Sequence, residues 1–250
     1  MARSGGIWMR IRMRVTASAT SIPWPEVLRP GVGLAYEWLE VGDPELGRDI
    51  HANGYGPHRF APFGHGAPWF PRAPKRRGVY TVGGEGLVEF GSPLPEVLTA
   101  WSKGLAGQRV LDWGGTALRV VSLEAAEPPG FEAGVARFRT ATPVVMKGSG
   151  YGPDGVRTTR EAHLVPTDPE FPAYLAGSLK RKAVSFGLGD QVELVSIDWV
   201  GPKRSFAVKA GLRVGAPVEV TVAGDPEILR MLWSTGIGQG TANGFGWVAA

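Results

Sequence analysis

Four histidines and one run of glycines hold most of the chemistry that this chain of 250 residues can offer. His51, His58 and His65 recur at intervals of seven, and His163 stands apart. Histidine titrates near neutrality, so each is a candidate for proton transfer or metal ligation. A spacing of seven would align three of them on one helix face, but Gly54, Gly56, Pro57, Pro62 and Gly64 lie between them and no carboxylate does. No metal site is expected from that pattern. Zero cysteines remove thiolate metal sites, disulfides and a cysteine nucleophile together.

Gly236, Gly238, Gly240, Gly244 and Gly246 fall within eleven residues. Such a segment either turns tightly or cradles a neighbouring backbone or a phosphate. It lacks GxxxxGK[ST] and leads into a strand pattern, so neither a nucleotide P-loop nor a dinucleotide fingerprint fits. A glycine-rich hairpin or helix C-cap is the alternative. Charge points outward to a partner: net charge is +4, and the cations gather at Arg72, Lys75, Arg76 and Arg77, at Lys180, Arg181 and Lys182, and at Lys203 and Arg204. One such cluster alone is a solvated face, and Lys180 to Lys182 also suit the C-terminal end of a helix. Three of them point to a polyanion, above all a nucleic acid.

These residues need elements to position them. Alternation from Ile7 to Val15 predicts a strand, and Arg10, Arg12 and Arg14 break the apolar run that a signal peptide requires. Val27, Leu28, Leu34, Ala35, Trp38 and Leu39 carry helical spacing, with Pro30, Gly31 and Gly33 interrupting the helix or delaying its start. Residues Gly42 to Pro57 read as loop, followed by a strand around "HRFAPFGHG" and a hairpin or bulged strand in "GVYTVGGEGLVEFG". Ser92, Pro93 and Glu96 open a helix, and "QRVLDWGGTALRVVSLEA" returns to strand.

"EPPG" at Glu127 to Gly130 is the best boundary, dividing the chain into domains 1–128 and 129–250. Beyond it, "FEAGVARFRTATPVVM" is a strand, and Asp168 and Pro169 open a helix with Phe171, Tyr174, Leu175 and Leu179 on one face. "QVELVSIDWV", "SFAVKAGLRV" and "PVEVTVAG" are strands, Asp225 and Pro226 cap a helix, and Phe245 to Val248 form a last short strand. Each half runs strand, helix, strand, strand, helix, strand. The fold class is α+β: two tandem ferredoxin-like (RRM-type) domains with antiparallel sheets. No apolar run approaches the roughly 20 residues that span a bilayer, so a soluble protein is expected, and the lack of cysteine makes a reducing cytoplasm its expected home.

Four stretches carry a family resemblance: "DIHANGYGPHRFAPFGHG" at Asp49 to Gly66, "TATPVVMKG" at Thr140 to Gly148, "HLVPTDPEFPAYLAGSLKRKA" at His163 to Ala183, and "GIGQGTANGFG" at Gly236 to Gly246. Together they resemble the CRISPR-associated endoribonucleases that process precursor CRISPR RNA, the Cas-six family of the RAMP superfamily. The resemblance spans nearly the whole chain. It implies the same two-domain fold and metal-independent cleavage of the repeat by its own 2′-hydroxyl, leaving 2′,3′-cyclic phosphate and 5′-hydroxyl ends and using no cofactor.

It also implies roles. His51 is the general acid or base and Tyr36, fifteen residues earlier, its helper. A third, basic member falls near His58 or Arg59, where this chain has no lysine. RNA binding falls to Arg59, Lys180, Arg181, Lys182, Lys203 and Arg204 and to the loop residues Gly236, Gly238, Gln239, Gly240, Gly244 and Gly246. Relatives often carry charge where this loop has Gln239, Gly240 and Thr241, so its contacts would rest on backbone N–H groups and hydroxyls. The implied partner is precursor CRISPR RNA, with other effector subunits and a homodimer as further partners. The rival reading is a noncatalytic RNA-binding subunit of an effector complex. On residue pattern alone Tyr36 also suits a core helix face, His58 and His65 suit RNA contact or plain exposure, and His163 suits the start of a turn.

Overall fold

The computed structural model describes residues 9–151, 157–208 and 211–249. The first half contains β1 (Met9–Ala17), β2 (Ser21–Ile22), α1 (Arg29–Gly42), α2 (Pro44–Asn53), β3 (Gly64–His65), β4 (Tyr80–Thr81), β5 (Gly84–Ser92), α3 (Pro95–Gly104), β6 (Val110–Asp112) and β7 (Ala117–Ala126). The second half contains β8 (Val135–Arg139), β9 (Met146–Tyr151), β10 (Arg157–Leu164), α4 (Phe171–Ser185), β11 (Val192–Val200), β12 (Arg204–Val208), β13 (Gly211–Gly215), β14 (Val218–Gly224) and α5 (Pro226–Thr235).

The first sheet runs β3-β5-β1-β7-β6 and is antiparallel throughout. Removing the edge strand β6 leaves the order of a ferredoxin-like unit, with β1 at the centre. The second sheet runs β11-β14-β8. Beside β8, where a fourth strand belongs, the described residues make only the bridge Thr140↔Val248, so the expected strand Phe245 to Val248 is reduced to one pair. Glycines at 244 and 246 with φ of 82° and 61° keep that segment from extending. Two hairpins, β9-β10 and β12-β13, are inserted into this half.

Binary pattern explains the packing. Met13, Val15 and Ala17 face α1 and α3 and are buried, as are Val88 and Phe90 on β5. Trp38 of α1 and Trp101 of α3 meet Phe90 edge-on, with centroids 4.7 and 5.8 Å away. The Trp101 indole donates to the Ala35 carbonyl at 2.8 Å, so its N–H is not left bare in the core.

Arg10 belongs by alternation to the opposite face, with Arg12 and Arg14, yet it is fully buried because the second half covers it. Its guanidinium lies 4.0 Å from the Trp233 ring and 3.9 Å from the Trp247 ring. It donates to the carbonyls of Trp233 and Val248, and Glu89 stands 3.7 Å away. A buried guanidinium needs a counter-charge and acceptors, and here both halves supply them.

Several expectations need correction. Residues Gly42 to Pro57 are not loop but chiefly α2: Asp43 caps it by accepting from the Leu46 N–H at 3.1 Å, Pro44 opens it and Gly54 ends it at φ 67°. "HRFAPFGHG" yields only the two-residue β3. In "GVYTVGGEGLVEFG", β4 pairs with β2 while β5 pairs with β1, so the two form no hairpin with each other. Ser92 ends β5, where its hydroxyl donates to the Pro62 carbonyl, and α3 starts at Pro95. The start of α1 is delayed to Arg29, with Pro30 in its first turn. Of the strand expected from Ile7, residues Ile7 and Trp8 lie outside the described residues.

Candidate active site and nucleic-acid interface

His51 stands on the last turn of α2 and is exposed. Tyr36 reaches it from α1: the ring centroids are 4.9 Å apart and the planes nearly perpendicular, at 85°. Phe63 backs the tyrosine edge-on at 5.2 Å and fixes where the phenol can lie. Tyr36 is half-buried, and that burial raises its pKa above the ordinary 10. The phenol therefore keeps its proton at neutral pH and can donate a hydrogen bond.

The chain then makes a tight turn. Tyr55 and Phe60 exchange backbone hydrogen bonds of 2.7 and 3.1 Å, and Arg59 sits in the left-handed region at φ 51°. His58 and Arg59 are both exposed at its tip. The turn rests on the second half: a Cβ at Gly56 would come within 2.3 Å of the Ser185 carbonyl oxygen, and Tyr55 stacks on Phe186 at 5.2 Å. Lys180 and Arg181, one turn back along α4, are exposed.

The remaining histidines part company with this corner. His65 is neither exposed nor open to a partner. It is fully buried against Phe90 and Trp113, and its Nδ1 lies 3.0 Å from the Gly66 carbonyl oxygen. Burial pushes its pKa down to about 4, so it is neutral at pH 7. His163 does not begin a turn but lies on β10, with Nε2 3.2 Å from the Arg213 guanidinium. Burial, then the charges of Arg213 and Lys147, lower its pKa. Among the described residues no three His, Asp or Glu side chains come together as a metal site would require.

The glycine loop differs from the expected open cradle. Gly236, Gly238, Gly244 and Gly246 are buried, as is Thr241 at the start of the short 3-10 turn Thr241–Asn243, while Gln239, Gly240, Ala242 and Asn243 reach towards solvent. Its amides bond inward, Ile237 to the Gly246 carbonyl at 2.9 Å, Gly246 to Pro143 at 2.8 Å and Gln239 to Val145 at 3.1 Å. The Gln239 side chain accepts from the Lys147 amide at 3.0 Å. A Cβ on Gly244 would press against the His65 ring at 2.7 Å, so the loop packs directly on the buried histidine of the other half. The four buried glycines therefore shape the loop and present no surface to RNA. Lys182 is likewise withdrawn from the basic surface: it is 4% exposed, and its ammonium faces the loop from beneath.

Two of the three basic clusters converge instead. A cleft of about 800 Å³ between the halves is lined by Lys75 and Arg76 from one and Arg204 from the other, together with Trp24, Trp69, Tyr80 and Phe206. Trp69 is 60% exposed and Trp24 36%, the latter packed against Tyr80 and Phe206 with centroids 5.7 and 5.6 Å away, so both tryptophans leave part of their surface to the cleft. Lys203 is exposed next to Arg204. The sequence displayed the basic run around Lys75 but not the tryptophans, because nothing in their spacing says they are left uncovered.

The family described as CRISPR associated protein Cas6, C-terminal, matches residues 125–250. No curated protein matches the chain. Among solved structures, one titled as a characterization of a Cas6-related gene from Pyrococcus furiosus superposes with a TM-score of 0.76 at 17% identity, covering 97% of this chain and 98% of that one. A RAMP protein described as binding different RNA substrates gives 0.76 at 15%, covering 96% and 98%. A Thermus thermophilus Cas6 product complex gives 0.65 at 18%, covering 98% and 99%. At such identities these likenesses establish the ferredoxin-like fold of both halves. No helix among the described residues is long and apolar enough to cross a membrane.

Proposed function

The chain belongs to the CRISPR-associated Cas6 family, and from that premise we propose that it is an endoribonuclease that cuts CRISPR repeat RNA to produce guide RNA. The observation that carries this reading is the exposed His51 held against Tyr36 at 4.9 Å on the first half. The scissile phosphate lies over this corner. The 2′-oxygen attacks phosphorus, the bond to the 5′-oxygen breaks, and the products are a 2′,3′-cyclic phosphate and a 5′-hydroxyl. One proton leaves the 2′-hydroxyl and one reaches the departing 5′-oxygen. His51 carries one of these transfers, a role worth ~10²- to 10⁴-fold in rate. Tyr36 donates a hydrogen bond that orients the reacting group, and Arg59 supplies positive charge near the phosphorane-like transition state. This chemistry calls for no metal.

The two domains join at Glu127 to Gly130, and the cleft between them holds a single-stranded part of the repeat. Bases stack on Trp24 and Trp69 while Lys75, Arg76 and Arg204 meet phosphates. Lys180, Arg181, Lys203, Gln239 and Gly240 add contacts outside the cleft.

Labelled repeat RNA incubated with the protein in excess chelator should be cut once, and a deoxynucleotide at the scissile position should abolish the cut. Cleavage of the deoxy substrate would rule out the nucleophile; tight binding without any cut would make the protein a noncatalytic RNA-binding subunit instead. Removing charge at Lys75, Arg76 and Arg204 together should lower both affinity and its salt dependence, and unchanged values would exclude the cleft from the binding surface.

A further inference from the structure

Lys182 lies in a row of three basic residues on α4, but only Lys180 and Arg181 face solvent. The Lys182 ammonium lies 2.8 Å from the Gly236 carbonyl oxygen, 3.3 Å from the Thr241 hydroxyl and 3.4 Å from the Thr235 hydroxyl. Gly236 is the residue that stops α5, and Thr241 opens the 3-10 turn. One ammonium thus holds both ends of residues 237–240, which carry the exposed tip of the glycine loop.

All three partners are neutral oxygens. Among the described residues no carboxylate stands within ion-pair distance of Lys182, whereas Arg10, the other deeply buried cation, has Glu89 and two indole faces. Burying an unpaired charge is costly, and an apolar side chain of equal length would avoid that cost. Such a side chain would, however, leave the buried Gly236 carbonyl without the donor that draws it towards Thr241. Burial also pushes the ammonium down to about 7, in keeping with a cation held by dipoles alone.

We propose that Lys182 is a positioning residue for RNA binding: from beneath, its ammonium gathers Gly236 and Thr241 and holds Gln239 and Gly240 in the shape that meets the RNA backbone. The proposal rests on the RNA-processing reading. It assigns the third residue of the basic row an internal task while its neighbours act on the surface.

The test pairs hydrogen exchange of the loop amides at 237–243 with equilibrium binding of repeat RNA, using full-length protein and temperatures at which each variant is folded by thermal melt. Lys182→Met should raise loop exchange about tenfold while β1 and β5 stay protected, and should weaken RNA binding about tenfold. Thr241→Val removes one acceptor and should move both readouts the same way by about threefold, and it decides the matter if Lys182→Met does not fold. Unchanged loop exchange overturns the tie. Faster exchange with unaltered affinity overturns the RNA role and leaves Lys182 a structural residue. If the wild-type protein binds no repeat RNA yet the variants loosen the loop, the RNA-processing reading has failed and the tie has not.

Discussion

His51 projects from the end of α2 into solvent with one aromatic neighbour, whereas the glycine loop of the other half keeps four of its glycines buried and turns its amides inward, on its own carbonyls and on those of Pro143 and Val145. The first region is joined to the fold mainly through its backbone, so its side chain can be changed with little effect on packing. The second is fold throughout, pressed between Val144, His65 and Ile237. On the proposed reading, chemistry and shape are thus divided between the halves. A reactive group gains from access, and a surface of defined shape gains from rigidity.

The contrast is sharpest in a cleavage assay. His51→Ala should slow cutting of bound repeat RNA by ~10²- to 10⁴-fold while affinity and melting temperature stay near wild type. Less than a tenfold loss would move the proton-transfer role away from this helix end. Gly246→Ala should do the reverse. Its Cβ would sit 1.8 Å from the Ile237 carbonyl oxygen at a φ of 61°, so we expect about 3 to 5 kcal/mol of destabilisation in urea unfolding. Wild-type stability in that variant would show that the loop is looser than its packing implies.

A pH series probes the seam between the regions through His65. Its folded pKa of about 4 lies below the ordinary 6.5, so the unfolded chain takes up the proton first as pH falls. Stability from this residue is complete above pH 6.5 and is lost progressively down to about pH 4, by about 3 kcal/mol. Urea unfolding at pH 7, 5.5 and 4.5 should show a steeper decline for the wild type than for His65→Gln, in which other titrating groups are shared. Parallel declines would mean that His65 is protonated inside the fold.

The strand and helix order of the two halves could be read from the sequence because it rests on local periodicity. Asp225-Pro226 marked the start of α5, whereas Asp168-Pro169 precedes α4 by two residues and Glu170 takes its N-cap position; the same signature stood at Asp43-Pro44 before α2, with Gly54 at its end. Glycines and prolines nearby masked it. The pairing of Tyr36 with His51 was available only through family resemblance, since two helices had to cross to bring the rings together. Burial was not legible at all. His51 and His65 look alike in sequence, as do Arg181 and its basic neighbour Lys182, and only tertiary packing separates the exposed member of each pair from the buried one.

The clamp on Arg10 has a temporal meaning. Its acceptors at Trp233 and Val248 lie 223 and 238 residues away along the chain. During synthesis β1 therefore emerges long before Trp233 and Val248 can cover its guanidinium, and until they do that face of the first sheet is wet. Contacts so distant in sequence are slow to form. Sealing of the two halves at this point waits until Trp233 and Trp247 have both been made, so the second half must follow the first before the two become one body.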